Sequence, residues 1–72
     1  MDAQAAANRI GDEVARRRRA LRVTQEELAE LAGVSVRSVA SIEAGKPTVR
    51  LDILLPVLAT LGVDVVERIE RA

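Results

Sequence analysis

Two stretches of this sequence carry side chains able to recognise another molecule. Arg16, Arg17, Arg18 and Arg19 form an unbroken run, and Arg37, Ser38, Ala40 and Ser41 follow some twenty residues later. A guanidinium is a planar fork of donors that suits phosphate or, bidentately, O6 and N7 of guanine. A serine hydroxyl can bond a phosphate oxygen or a base edge. Other chemistries are excluded by residue type. The chain has no Cys and no His. That removes zinc fingers, disulfide scaffolds, imidazole metal sites and Ser-His or Cys-His catalysis. It also has no Phe, Trp or Tyr, so no aromatic platform for base stacking can form. Glu26, Glu27 and Glu30 form an acidic strip without metal or acid–base spacing, which reads as solvated surface. No enzyme activity, metal or cofactor is expected.

The chain that must position these groups is short. Its 72 residues make one small domain at most, since domains typically run about 100–150 residues. Eleven basic groups balance eleven acidic ones, the sequence pI is about 6.2, and 49% of residues are hydrophobic. The core is therefore built from Val, Leu, Ile and Ala. No apolar run reaches the roughly 18 residues of a membrane span. Met1-Asp2-Ala3-Gln4 lacks the basic start and apolar stretch of a signal peptide, so a cytoplasmic location is expected. Domains of about 60 residues bury only about 60% of their unfolded surface. Without disulfide or metal, oligomerisation is the expected supplement.

The spacing predicts an all-α fold of four to five helices. Residues 1–8 read as a frayed or helical lead-in, and residues 9–62 as the main domain. In 9–20, Ile10, Val14 and Leu21 share one face, and Arg18 falls on it too. An arginine on an apolar stripe needs a partner or must snorkel out; the other arginines of the run are either solvated surface or phosphate contacts. Thr24-Gln25-Glu26-Glu27 is a capping box. Leu28, Leu31 and Ala32 form the next apolar face, and Gly33 ends that helix. Ser35 caps a further short helix with Val36, Val39 and Ile42 on one side, closed by Gly45 and Lys46-Pro47. Thr48 could cap a fourth helix facing inward through Leu51, Leu54, Leu55, Leu58 and Leu61, with a kink near Leu55, or a split into two short helices, because Pro56 interrupts it. Residues 63–70 alternate as a strand would, yet Asp64-x-x-Glu67 also fits a capped helix. Valine richness favours the strand. A lone strand needs a partner, so residues 63–72 are expected to pair with a second copy through Val63, Val65, Val66 and Ile69.

Two short capped helices joined by a tight glycine turn have the form of a helix-turn-helix, whose second helix enters the DNA major groove. The stretch VTQEELAELAGVSVRSVASIEAGKPTV resembles the Cro/phage-repressor (Xre) helix-turn-helix family. Arg18, Thr24-Gln25, Leu28-Ala29, Gly33-Val34-Ser35, Ile42-Glu43 and Gly45 carry the resemblance together, over about Ile10 to Leu61. KPTVRLDILL and LATLGVDVV are further similar to HipB-like antitoxins, which end in a dimer-forming strand.

The resemblance implies roles by position. Val36, Arg37, Ala40 and Ser41 match base contacts. Gln25, Ser35 and Ser38 match phosphate-facing positions, with Lys46 and Arg50 adding backbone contacts. Arg18 and Glu43 match a structural ion pair. The implied protein is a homodimeric repressor reading a palindromic double-stranded operator. In the antitoxin version its partner is a toxin such as a HipA-like kinase; the alternatives are a stand-alone phage-type or restriction-control regulator, or an interaction module that does not read DNA. The balanced charge is compatible with DNA binding because it is uneven. Residues 9–50 hold nine basic and six acidic groups, whereas residues 51–72 hold two basic and four acidic.

Overall fold

Five α-helices and no strand make up the computed structural model, which describes residues 1–72. They are α1 (Ala3–Ala20), α2 (Gln25–Ala32), α3 (Val36–Glu43), α4 (Leu51–Thr60) and α5 (Val65–Arg71). The lead-in is helical from Ala3, capped by the Asp2 carboxylate, which accepts from Gln4 N at 2.9 Å. It is also tied down: Gln4 Nε2 donates to the Gly45 carbonyl at 2.8 Å and to Asn8 Oδ1 at 2.9 Å.

The buried face of α1 keeps the expected Val14 and Arg18 but not Ile10 and Leu21. Ile10 is 38% exposed and Leu21 is 56% exposed. The face turned inward is Gly11, Val14 and Ala15, with Arg18 completing the i, i+3, i+4, i+7 spacing. Small residues occupy it because α1 lies almost against the backbone of α3. A Cβ on Gly11 would come 2.8 Å from the Glu43 carbonyl oxygen and closer still to that of Ile42.

The capping box of α2 forms as its sequence requires. Glu27 N donates to Thr24 Oγ1 at 3.0 Å, and Thr24 N donates to the Glu27 carboxylate at 3.0 Å. Gly33 then takes φ 72°, the left-handed conformation that closes a helix. Val34 N returns to the Ala29 carbonyl at 3.0 Å. Leu28 and Ala29 are buried, whereas Leu31 stays exposed.

Two expectations for α4 change. Thr48 does not cap it; Arg50 occupies the cap position, without a side-chain cap bond. Pro56 lies inside a single helix and does not split the segment into two short ones. It removes the bond to the Asp52 carbonyl, but tertiary packing holds the segment in register. Val57 is fully buried, Leu61 is nearly so, and Ile53, Leu54 and Leu58 pack around them. Leu51, expected inside, is exposed. The core is Val14, Leu28, Ala29, Val39, Ile42, Val57 and Leu61, drawn from α1 through the end of α4.

The C-terminal strand expected over residues 63–70 is replaced by α5. Asp64 caps this helix, accepting from Glu67 N at 2.9 Å, and Arg71 pairs with Glu67 at 2.9 Å. The physical reason is backbone satisfaction: a helix pairs its own N–H and C=O groups, whereas a lone strand leaves them unpaired. Val63 and Val65 are half-buried, and Val66 and Ile69 are exposed. No residue of α5 is buried.

Candidate nucleic-acid interface

α3 owes its orientation to two sets of contacts. Val39 and Ile42 are buried in the core, which turns Arg37, Ala40 and Ala44 outward. Its start is fixed by Ser35, whose Oγ accepts from Ser38 N at 3.1 Å and lies 2.9 Å from Ser38 Oγ. Its end is fixed by the Glu43 carboxylate. Arg18 Nε and Nη2 bind Glu43 Oε2 and Oε1 at 2.7 and 3.0 Å, the bidentate geometry that makes such pairs strong. Arg18 Nη1 also donates to the Val23 carbonyl at 3.0 Å. One arginine thus clamps α1, α3 and the turn entering α2. The two side chains are 12% and 8% exposed.

This environment sets the ionisation of the pair. Burial alone would raise the Glu43 carboxyl pKa. Hydrogen bonds from Arg18 and then Gln25, with the Arg18 charge, outweigh it and hold Glu43 below the ordinary carboxylate value. The hydrogen bond to Glu43 raises Arg18 above the ordinary arginine value. The expected structural ion pair is therefore formed, and Arg18 is not free to meet a ligand.

The rest of the arginine run is divided. Arg16 and Arg17 both pair with Glu13, Arg17 at 2.9 Å. These hydrogen bonds, Arg16 first, hold the Glu13 carboxyl down at about 2. Arg17 also reaches the Leu61 carbonyl at 3.4 Å, at the end of α4. Arg19 is exposed and has no ion pair.

Beside α3 lies an open groove lined by Arg37, Ser38, Ser41, Lys46, Thr48 and Arg50, floored by Val49 and Ile53. No acidic side chain lines it. Five of the nine residues expected to contact DNA therefore share one surface. Val36 and Ala40 are exposed on α3 but stand outside the groove. Ser35 serves as the cap. Gln25 donates to Glu43 Oε1 at 3.2 Å, so its amide supports the ion pair. Arg50 binds Asp52 through two hydrogen bonds of 3.0 and 2.6 Å. That pair is largely exposed, and exposed pairs of this kind contribute only about 0–1 kcal/mol. Phosphate could displace it.

Thr48 is the groove residue that sequence reasoning misplaced. Its hydroxyl was expected at a helix cap. Once α4 begins at Leu51, Thr48 belongs to the loop that carries Lys46. The signal available was Pro47, which limits how the chain can leave α3. Gly11 was missed as well, although an isolated glycine inside a helical pattern often marks close packing.

This arrangement of α2, a left-handed glycine and an outward-facing α3 is a helix-turn-helix. The helix-turn-helix family HTH_3, of Xre type, matches residues 14–68, and the chain belongs to it. The chain is also 49% identical over 41 residues to an uncharacterized HTH-type transcriptional regulator, y4mF, of Sinorhizobium fredii (strain NBRC 101917 / NGR234). That match spans 57% of this chain and 54% of the relative, so the chain covers about half of that protein. No solved structure matches. No helix is long and apolar enough to cross a membrane.

Proposed function

We propose that the protein is a sequence-specific, DNA-binding transcriptional regulator. The observation that carries this is the groove beside α3, where Arg37, Lys46 and Arg50 converge with three hydroxyls and no carboxylate. Arg37 reads bases, since it lies exposed on α3 without a partner and suits guanine O6 and N7. Val36 and Ala40 offer apolar contact to a thymine methyl, and Ser41 offers a hydroxyl. Ser38, Lys46 and Arg50 hold phosphates. Gln25 and Ser35 contribute through the helix ends that they start. Two copies reading a palindromic operator would set their α3 helices about 34 Å apart.

Strand pairing no longer supplies the dimer contact. The apolar side chains of Val66 and Ile69 on α5, with Val63 and Val65 beside them, still offer a surface for a second copy. The antitoxin form of the proposal keeps its sequence resemblance to HipB-like proteins, without their terminal strand. Co-purification of a kinase-like product of the neighbouring reading frame would support it.

The deciding experiment is fluorescence anisotropy with duplex from upstream of the protein's own gene, against random duplex, at about 150 mM salt. Specific binders exceed their non-specific affinity by about 10³-fold or more. Equal affinity for both duplexes would sink the proposal and favour an interaction module. Sedimentation at micromolar concentration tests the dimer.

A further inference from the structure

A second recess adjoins the α3 groove and shares Lys46 and Val49 with it. It is an apolar trough of about 200 Å³ between the first half of α1, the end of α3 and the start of α4. Ala6, Ala7, Ile10, Val49 and Leu54 line it, and Lys46 is the one charged side chain on its wall. The bond from Gln4 Nε2 to the Gly45 carbonyl ties α1 to the end of α3, so the trough exists without a ligand. Lys46 has no ion-pair partner of its own. A lysine ammonium is a point charge on a flexible stem, and it can serve only one recess at a time.

We propose that this trough binds a small amphipathic anion, a medium-chain carboxylate, and that occupancy weakens DNA binding. The volume equals roughly seven waters, close to the bulk of a chain of about seven carbons. The tail lies against Ala6, Ala7, Ile10 and Leu54. The carboxylate takes the Lys46 ammonium, which withdraws that charge from the groove on α3. The effect on DNA rests on the proposed function above; the occupancy does not.

Octanoate is the probe, titrated into the 72-residue chain and followed by NMR of the Ile10, Val49 and Leu54 methyl groups. Octanoate should shift these resonances, and octylamine should not. Saturating octanoate should then weaken operator binding by about five- to tenfold, and operator should weaken octanoate binding by the same factor. Ala6→Leu fills the trough; it should keep its operator affinity and lose the response to octanoate. Lys46→Gln should bind octanoate no better than octanol. No shift at these methyls up to about 10 mM octanoate, the range of very weak binding, would overturn the proposal. So would equal binding of octylamine, or unchanged operator affinity in the octanoate-bound protein. Failure of the ligand-free protein to bind operator would instead refute the DNA-binding reading, while the titration without DNA would still report on the trough.

Discussion

Gly11→Ala is the sharpest test of how α1 sits on α3. In an exposed helix interior this change stabilises by about 1 kcal/mol, because alanine has the better propensity. Here the new methyl would lie 2.8 Å from the Glu43 carbonyl oxygen and nearer still to that of Ile42. Carbon and carbonyl oxygen normally approach no closer than about 3.3 Å. Both obstacles are backbone atoms, so no side-chain rotation relieves them, and the nearer one, the Ile42 carbonyl oxygen, requires α1 to retreat by roughly an ångström. A gap of that size forfeits about a quarter or more of each dispersion contact along the interface. Overpacking of this kind costs about 1–3 kcal/mol. The upper end applies, leaving a net loss of about 2 kcal/mol after the propensity gain. For a domain of this size that lowers Tm by about 8–16 °C. Circular dichroism at the helix minimum during a thermal melt measures it. Asp12→Ala, exposed on the same helix, is the control and should change stability by about 0.5 kcal/mol or less. A Tm for Gly11→Ala equal to or above that of the parent would refute the close approach.

Removing one partner of the Arg18–Glu43 pair should cost far more than replacing both. Arg18→Met should destabilise by about 3–5 kcal/mol, and Glu43→Leu in the same chain should recover much of that loss; denaturant melts of the single and double variants measure the coupling. Acid should destabilise the fold through Glu43. Its folded pKa lies below the ordinary 4.5, so the unfolded chain binds the proton first, and the stabilisation present above 4.5 is lost as pH falls through the folded value. Glu43→Gln should flatten that limb of a stability–pH curve. Arg37→Ala should leave Tm unchanged, cost about 1–3 kcal/mol of specific binding and relax the preference at one base pair. Lys46→Ala should weaken binding to all duplexes alike and reduce the salt slope by about 0.9 per protomer, read from anisotropy at several salt concentrations.

The features legible in the sequence are those set by neighbours in the chain. Thr24 and Glu27 form their capping box from residues three apart, and Ser35 caps α3 the same way. Gly33 supplies a conformation that is local to one residue. The turn between α2 and α3, and the outward face of α3, follow from these. What was not legible depends on contacts across the fold. Ile10 and Leu21 looked like core because they are large, but the α1–α3 approach selects small Gly11 and Ala15 instead. Of the expected inner face of α4, Leu54, Leu58 and Leu61 meet the core and Leu51 does not, while Val57, outside the leucine pattern, is the residue fully buried. In residues 63–70 the two-residue and helical periods both fit. The Asp64 cap, a local signal, was the better guide than valine content.

The ion pairs sharpen the meaning of a net charge of zero. Arg16 and Arg17 are taken by Glu13, Arg18 by Glu43, and Arg71 by Glu67. Arg50 is held by Asp52 in an exposed pair that a phosphate can replace. What remains for a duplex at the groove is Arg37, Lys46 and Arg50. Arg37 is assigned to bases, so the two phosphate contacts of Lys46 and Arg50 give a salt slope of about −1.8 per protomer. Between 50 and 200 mM salt, one protomer would then lose roughly twelvefold in affinity, and a dimer roughly the square of that. Attraction of this size does not hold a protein on arbitrary DNA at physiological salt. Selectivity must come instead from the neutral and bidentate contacts of α3, which salt affects little. Within the arginine run, the most basic segment of the sequence, Arg18 belongs to the buried scaffold that presents that helix.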